Sequence, residues 1–285
     1  MLTQEQIEFY HINGYITVSN VLTPEEMAEL QRVTDEFVDK SRSVTQHTDV
    51  FDLEPGHTPD APRLRRLKNP IKQHPVYDRT IRHPRILDII AQLIGSDIRT
   101  NGDKLNMKSA GFGSAVEWHQ DFAFYPHTND DLLAVGIAID DMMLENGPLL
   151  VIPGSHKGPI YSHHQDGLFV GAVTDADFDL KDTVPLELKA GDISIHHARI
   201  LHASAPNKSN RPRRFLLFQY CSGDSWPLLG MPKWEDFKAT FLRGEPSFRP
   251  RMAEIPVYIP LPPPEKTGSI YEIQTQLARP VLSKQ

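Results

Sequence analysis

Residues 116–121 read Val116-Glu117-Trp118-His119-Gln120-Asp121. In an extended strand, residues i and i+2 point to one face, so His119 and Asp121 converge there. An imidazole nitrogen and a carboxylate oxygen supply two corners of a metal site. A second histidine would complete a 2-His-1-carboxylate face and leave the opposite positions of an octahedral Fe(II) open. An isolated His-x-Asp pair arises often by chance; what strengthens this one lies downstream. Gly191-Asp192 turns the chain into Ile193-Ser194-Ile195-His196-His197, and Leu201-His202-Ala203-Ser204 follows, so His196, His197 and His202 are candidates for the third ligand. Then Arg211-Pro212-Arg213-Arg214 leads into the apolar run Phe215-Leu216-Leu217-Phe218. An arginine turned inward is costly unless it pairs. Its planar fork matches a carboxylate, and a small dicarboxylate co-substrate beside the metal would be such a partner. A basic cluster more commonly faces water, but the order His-x-Asp, His, Arg supports the inward reading.

The elements that must hold these residues can be read from periodicity. Ile7, Phe9, Tyr10 and Ile12 suit a short helix stopped by Asn13-Gly14, and Tyr15 to Val18 reads as a strand. Thr23-Pro24-Glu25-Glu26 opens a second helix with a threonine cap, a proline in the first turn and a glutamate three residues after the cap. Met27, Leu30, Val33 and Phe37 give that helix one buried stripe, and Pro84 to Leu93 forms another helix ended by Gly95. From Ile98 the period shifts towards two. Leu105 to Met107, Val116 to Phe122, Leu132 to Ile139, Leu149 to Ile152, Val184 to Leu188, Ile193 to Ile195 and Phe215 to Tyr220 are short strands separated by turn signals. Such regular punctuation predicts a jelly roll rather than a parallel sheet with crossover helices. Segments 44–61 and 161–169 lack an apolar pattern and are candidate lids, in which His163 and His164 read as surface polar residues. Phe122 and Phe124 would line the pocket if the metal strand continues. The expectation is one domain, with a helical part over 1–97, a jelly-roll core over 98–222 and a proline-rich extension over 223–285 that wraps the surface.

Composition narrows the partners. The chain of 285 residues carries a net charge of −7, which gives no reason to expect nucleic acid or an anionic membrane. No apolar run approaches the roughly 20 residues of a bilayer span, and the first residues lack the basic and apolar parts of a signal peptide. One cysteine, Cys221, allows no intramolecular disulfide. The expected protein is soluble and cytoplasmic, and no oligomeric state can be read.

The stretch from Leu105 to Tyr220 resembles the phytanoyl-CoA dioxygenase family of Fe(II)/2-oxoglutarate oxygenases. The matching pieces are Trp118-His119-Gln120-Asp121, Asn146-Gly147-Pro148-Leu149, Pro153-Gly154-Ser155-His156-Lys157-Gly158 and His202-Ala203-Ser204-Ala205-Pro206-Asn207 with its trailing arginines. The opening Phe9-Tyr10-His11-Ile12-Asn13-Gly14-Tyr15 and the Thr23-Pro24-Glu25-Glu26 helix start also match, so the resemblance covers most of residues 1–222. It implies a mainly β (α+β) chain: a double-stranded β-helix, cupin-like, with N-terminal helices packed on it. His119, Asp121 and His202 would be the iron ligands, with His196 and His197 at no ligand position. Arg213, eleven residues after His202, would hold the far carboxylate of 2-oxoglutarate, with Arg211 second, since in an extended strand it would share a face with Arg213, and Arg214 turned the other way. Ser204 would assist the same carboxylate, and Asn106 and Lys68 are further co-substrate candidates. Where many relatives have two prolines after the lysine at 108, this chain has Ser109-Ala110, which leaves the adjoining loop open. Asp121 favours oxygen insertion over halogenation, because halogenating relatives lack that carboxylate.

The resemblance implies an enzyme that uses Fe(II), 2-oxoglutarate and O2 to hydroxylate an unactivated C–H of a small metabolite or natural-product intermediate, releasing succinate and CO2. The polar lid candidates point to a polar substrate. The alternatives are a non-redox cupin-type isomerase, which would have no need of Arg213, and an acyl-thioester hydroxylase of the phytanoyl-CoA type.

Overall fold

The computed structural model describes residues 1–175, 179–264 and 268–282. Two antiparallel sheets face each other, and the site residues lie between them. The major sheet has eight strands, in the order Tyr15–Val18, Ile193–His197, Leu132–Ala138, Arg213–Ser222, Ile98–Lys108, Leu64–Lys68 and Phe51–Leu53, with Phe241–Arg243 added to Ile98–Lys108. The minor sheet orders Val184–Leu186, Leu149–Val151, His202–Ser204 and Val116–His119. This is the expected jelly roll.

One face of the major sheet carries the helices. Both N-terminal helices start with full capping boxes, Thr3 with Gln6 and Thr23 with Glu26, which satisfy N–H groups that a helix start leaves without partners. Pro24–Lys40 buries Met27, Leu30, Val33 and Phe37, and Pro84–Ile94 buries Ile86, Ile89, Ile90 and Leu93. These side chains pack with Leu67, Leu105, Ile137, Ile195, Leu216 and Phe218 on the sheet. The opposite face meets the minor sheet through a second cluster, with Phe215 and Leu217 against Leu149, Val151 and Leu186. Alternation along each strand therefore assigns Leu105 and Leu216 to the helical side and the residues beside them to the inner side.

Three expectations change. The N-terminal part holds more strand than Tyr15–Val18, which as expected is a strand and closes one edge of the major sheet: Leu64–Lys68 and Phe51–Leu53 extend the other. The metal strand ends at His119, and Asp121–Ala123 forms a 3-10 turn, so Phe122 enters a core cluster while Phe124 alone reaches the pocket side. The C-terminal extension does not simply wrap the surface. Ile270–Ile273 is a short helix beside the inner chamber, and Leu282 joins a buried cluster with Trp118 and Leu201. Among the described residues, no helix is long and apolar enough to cross a membrane.

Candidate active site

Strand register builds the centre. His202 and His119 are direct partners on adjacent antiparallel strands, with ring centroids 4.0 Å apart. Gln120 keeps extended backbone angles, so Asp121 still returns to the face of His119 before the chain turns. All three side chains are buried. The Nδ1 of His119 bonds the carbonyl of Glu117 at 2.8 Å, and that of His202 bonds the carbonyl of Ile200 at 3.0 Å. A carbonyl only accepts, so each ring holds its proton on Nδ1 and leaves the Nε2 lone pair free. Those two Nε2 atoms lie 3.8 Å and 4.0 Å from Asp121 Oδ1. These gaps are too long for hydrogen bonds and admit one ion between the three donors, whose ligand atoms all lie within 4.8 Å of one another. Two imidazoles and a carboxylate suit a divalent first-row metal, and the donor set therefore fits Fe(II).

The electrostatics agree with that fit. Burial pushes the His119 imidazole well below its ordinary value, with the neighbouring His202 adding to the effect, so the ring stays neutral. Burial opposes ionisation of Asp121, but Lys104 and the histidines around it hold its carboxyl well below the usual range. His196 is a fourth buried imidazole, 3.9 Å from Asp121 Oδ2, with an Nδ1 that has no hydrogen-bond partner; burial takes it down to about 3.

From the triad a narrow chamber runs between the sheets. Arg213 stands in its wall, 3% exposed. Its Nε and Nη2 donate to the carbonyl of Gly147 at 3.1 and 2.8 Å, and its cation lies 5.6 Å from the Phe215 ring centroid. Burial lowers the guanidinium to about 10, so it remains charged. Gly147 is required here: it has a φ of +78°, and a Cβ would fall 2.3 Å from the carbonyl oxygen of Ala205. Ser204 and Asn106 line the same chamber, and Asn106 Oδ1 is buried without a partner. Lys108, fully buried, donates to the carbonyl of Ser204 at 3.3 Å and also to that of Ala205.

The structure thus brings His119, Asp121, His202, Arg213, Ser204 and Asn106 to one place, and leaves Arg211 and Lys68 outside it. The strand begins only at Arg213, and the turn before it is held by Asn207 and Ser209. Arg211 therefore never adopts the extended alternation expected of it, and instead pairs with Glu145 at 2.5 Å on the surface. Arg214 faces away, chelated by Asp140. Lys68 is turned to Asp52, 2.7 Å away, and to the carbonyl of Thr48. The lid candidates are also corrected. His163 is buried and accepts the N–H of Gln120 through Nε2, and Phe51–Leu53 is a fully buried strand.

Sequence reasoning missed the outer half of the site. A vestibule of about 290 Å³, open on its outer side, is lined by Arg66, Lys104, Tyr125 and Gln219 and shares Lys104, Asp121 and Ile270 with the chamber. Arg66 pairs in register with Asn106, and Lys104 sits two residues before Asn106, so all three project from one face. That alternation was the available signal. The C-terminal strap covers this side with Ile270, Tyr271 and Ile273. It is tied down by Gln274, which accepts the N–H of Glu117 and donates to the carbonyl of Gly171. The carboxylate of Glu117 accepts the N–H groups of Val281 and Leu282.

Comparison with known proteins agrees with this geometry. The family model described as phytanoyl-CoA dioxygenase (PhyH) matches residues 10–215. A Stutzerimonas stutzeri protein named probable alpha-ketoglutarate-dependent hypophosphite dioxygenase is 34% identical, over 98% of this chain and 99% of its own length. An ectoine dioxygenase of Bordetella bronchiseptica is 25% identical over 82% of this chain and 79% of its own. The structure of EctD from S. alaskensis with bound Fe has the same fold, with a TM-score of 0.67 at 20% identity, covering 91% of this chain and 89% of that one.

Proposed function

The chain belongs to the phytanoyl-CoA dioxygenase family, and from that membership we propose that it hydroxylates a C–H of a small polar molecule, using Fe(II), 2-oxoglutarate and O2. The observation that carries the reading is the pairing of a buried His119–Asp121–His202 donor set with a buried, charged Arg213 in one chamber. A non-redox isomerase of the same architecture has no use for that guanidinium. The balance is one O2 and one 2-oxoglutarate per turnover: one oxygen atom goes to succinate, one becomes the product hydroxyl, and CO2 leaves.

Bound ferrous iron supplies the oxygen activation that no side chain can perform. The residues do the rest. His119 and His202 present Nε2 because their Nδ1 protons are committed to backbone carbonyls. Asp121 contributes the negative charge that favours a dication over a monovalent ion. Arg213, fixed by Gly147, binds the far carboxylate of 2-oxoglutarate with the donors that Gly147 leaves free, Ser204 assists it, and Asn106 offers its unpaired oxygen to the chamber. The strap over Ile270 and Tyr271 keeps bulk water from the centre. The polar vestibule supports a polar substrate, as does the relative whose name specifies hypophosphite, a small anion. The buried lone thiol of Cys221 suits a reducing compartment, and a cytoplasmic location is part of the proposal.

The test is a mass-spectrometric screen of small polar metabolites with Fe(II) and 2-oxoglutarate, scoring succinate and a gain of one oxygen together. Anaerobic addition of 2-oxoglutarate to the ferrous protein should give a weak visible charge-transfer band. No band, together with product formed without O2, would remove the oxygenase reading.

A further inference from the structure

The vestibule holds an unbalanced charge. The side chains of Arg66 and Lys104 make no hydrogen bond or ion pair among the described residues, and Arg66 Nε is buried without a partner. Other cations on this face are engaged: Lys68 by Asp52, Lys108 by two carbonyls, Arg213 by Gly147. Two like charges side by side in a half-buried wall are unfavourable unless something negative joins them. Burial lowers the Lys104 ammonium, Asp121 opposes the shift, and Arg66 adds to it, which places the two cations within each other's field.

Loading the chamber makes the imbalance plain. A ferrous ion, the Asp121 carboxylate, a doubly charged 2-oxoglutarate and Arg213 cancel one another. Arg66 and Lys104 remain. Asp103, also on the vestibule wall, offsets one of them at most, and one of its oxygens already accepts the N–H of Ile71. Asp121 is the other acid facing this space and is committed to the metal set.

We propose that Arg66 and Lys104 form the site for an anionic head on the primary substrate, so that this enzyme selects small molecules carrying a compact oxyanion. The site lies where the substrate must enter, because Lys104 borders both the vestibule and the metal chamber. Arg66 brings a planar fork and Lys104 a point charge, a pair that suits an oxyanion with two or more free oxygens. The amide of Gln219 and the hydroxyl of Tyr125, bonded to each other at 2.5 Å, complete a polar wall. Phe124, Ile270 and Ile273 supply the apolar remainder for a short carbon skeleton. The proposal rests on the reading of the deep chamber as the 2-oxoglutarate slot.

The experiment uses the full-length protein with Zn(II) in place of iron and saturating N-oxalylglycine, a 2-oxoglutarate mimic that is not turned over. Inorganic phosphate is titrated by calorimetry, with glycerol as the uncharged control. Phosphate should bind saturably, and Arg66→Gln and Lys104→Met should each weaken it at least about 10-fold. Arg66→Lys should retain most of the binding, and N-oxalylglycine affinity in the Arg66 variants should change by no more than about 2-fold, which also verifies folding; Lys104→Gln replaces Lys104→Met if that variant does not fold. The proposal is overturned if phosphate does not bind, if neither substitution weakens it, or if excess N-oxalylglycine displaces it. Loss of N-oxalylglycine affinity in both variants would make these co-substrate residues and overturn it as well. Failure of N-oxalylglycine to bind wild type, with phosphate still dependent on Arg66 and Lys104, would remove the slot and leave the anion site standing.

Discussion

The inner chamber and the outer vestibule share one sheet face but differ in how their polar groups are engaged. In the chamber the metal set and the guanidinium have fixed partners: each ligand histidine is oriented by a carbonyl, and Arg213 and nearby Lys108 by carbonyls of neighbouring turns, while Asn106 and His196 each keep one unpaired atom. In the vestibule Arg66 and Lys104 have none among the described residues. Fixed partners keep a geometry that must be the same in every turnover. Groups without them are free to take up a ligand. The contrast separates the part of the site that does chemistry from the part that chooses its substrate.

The largest effect should come from the triad. His119→Ala, Asp121→Ala and His202→Ala should each abolish 2-oxoglutarate turnover while circular dichroism stays near wild type, because all three surround one ion. His196→Ala should retain measurable turnover, since that ring stands outside the donor set. Full loss with His196→Ala and retention with His202→Ala would reverse the assignment of the third ligand.

Next comes Arg213. Arg213→Ala removes a buried charge-assisted contact and should raise the 2-oxoglutarate requirement by a factor equivalent to roughly 2–5 kcal/mol. Arg211→Ala should leave it within about 2-fold, since an exposed ion pair contributes little. Equal, small effects at both positions would take the clamp out of the chamber.

Lys68 should behave differently from both. It faces Asp52, which is 1% exposed, and removing the cation leaves a buried carboxylate without its ion pair. Breaking a fully buried pair costs about 3–5 kcal/mol; with Lys68 partly exposed, roughly 1–3 kcal/mol is expected for Lys68→Met. That loss should appear in the denaturation midpoint and not in the 2-oxoglutarate requirement. A raised requirement at unchanged stability would return Lys68 to the co-substrate site.

These contrasts also mark what could be read from the chain. The jelly roll was legible because its strands alternate in the sequence, and the triad because His-x-Asp survives a one-residue change in strand length: Gln120 stays extended even though the strand stops at His119. Arg213 was expected from the family resemblance, which puts an arginine eleven residues after the distal histidine, and it lies in the chamber wall. Arg211 was misjudged because period-two alternation was extended into a turn that the Asn207 side chain holds. Arg66 was passed over because it sits in a basic run that ordinarily faces water, and Lys104 because the expected strand began at Leu105; the observed pairing puts both beside Asn106. The strap was illegible for a deeper reason. Its anchors are single side chains meeting backbone groups 103 or more residues away, and such contacts leave no periodic trace.

The strap gives the smallest predicted change and the most local one. Gln274 accepts the N–H of Glu117 at 2.9 Å and donates to the carbonyl of Gly171 at 2.7 Å, both deep in the structure. Glu117 is also the residue whose carbonyl orients His119, so one side chain fastens the strap to the strand that carries the metal ligand. Gln274→Ala strips two backbone groups of a partner, which costs on the order of 1–3 kcal/mol if water cannot replace it. The cost should be local, because the sheets and helices do not depend on residues 268–282 for their own pairing. Amide exchange should therefore quicken across the strap and at Glu117, while the midpoint of global unfolding moves little. Weakening the cover also admits water to the centre, so 2-oxoglutarate consumption without substrate oxidation should rise by a few fold. Unchanged exchange at the strap, or a fall in global stability equal to the local one, would mean that residues 268–282 fold as part of the core and do not act as a separately fastened cover.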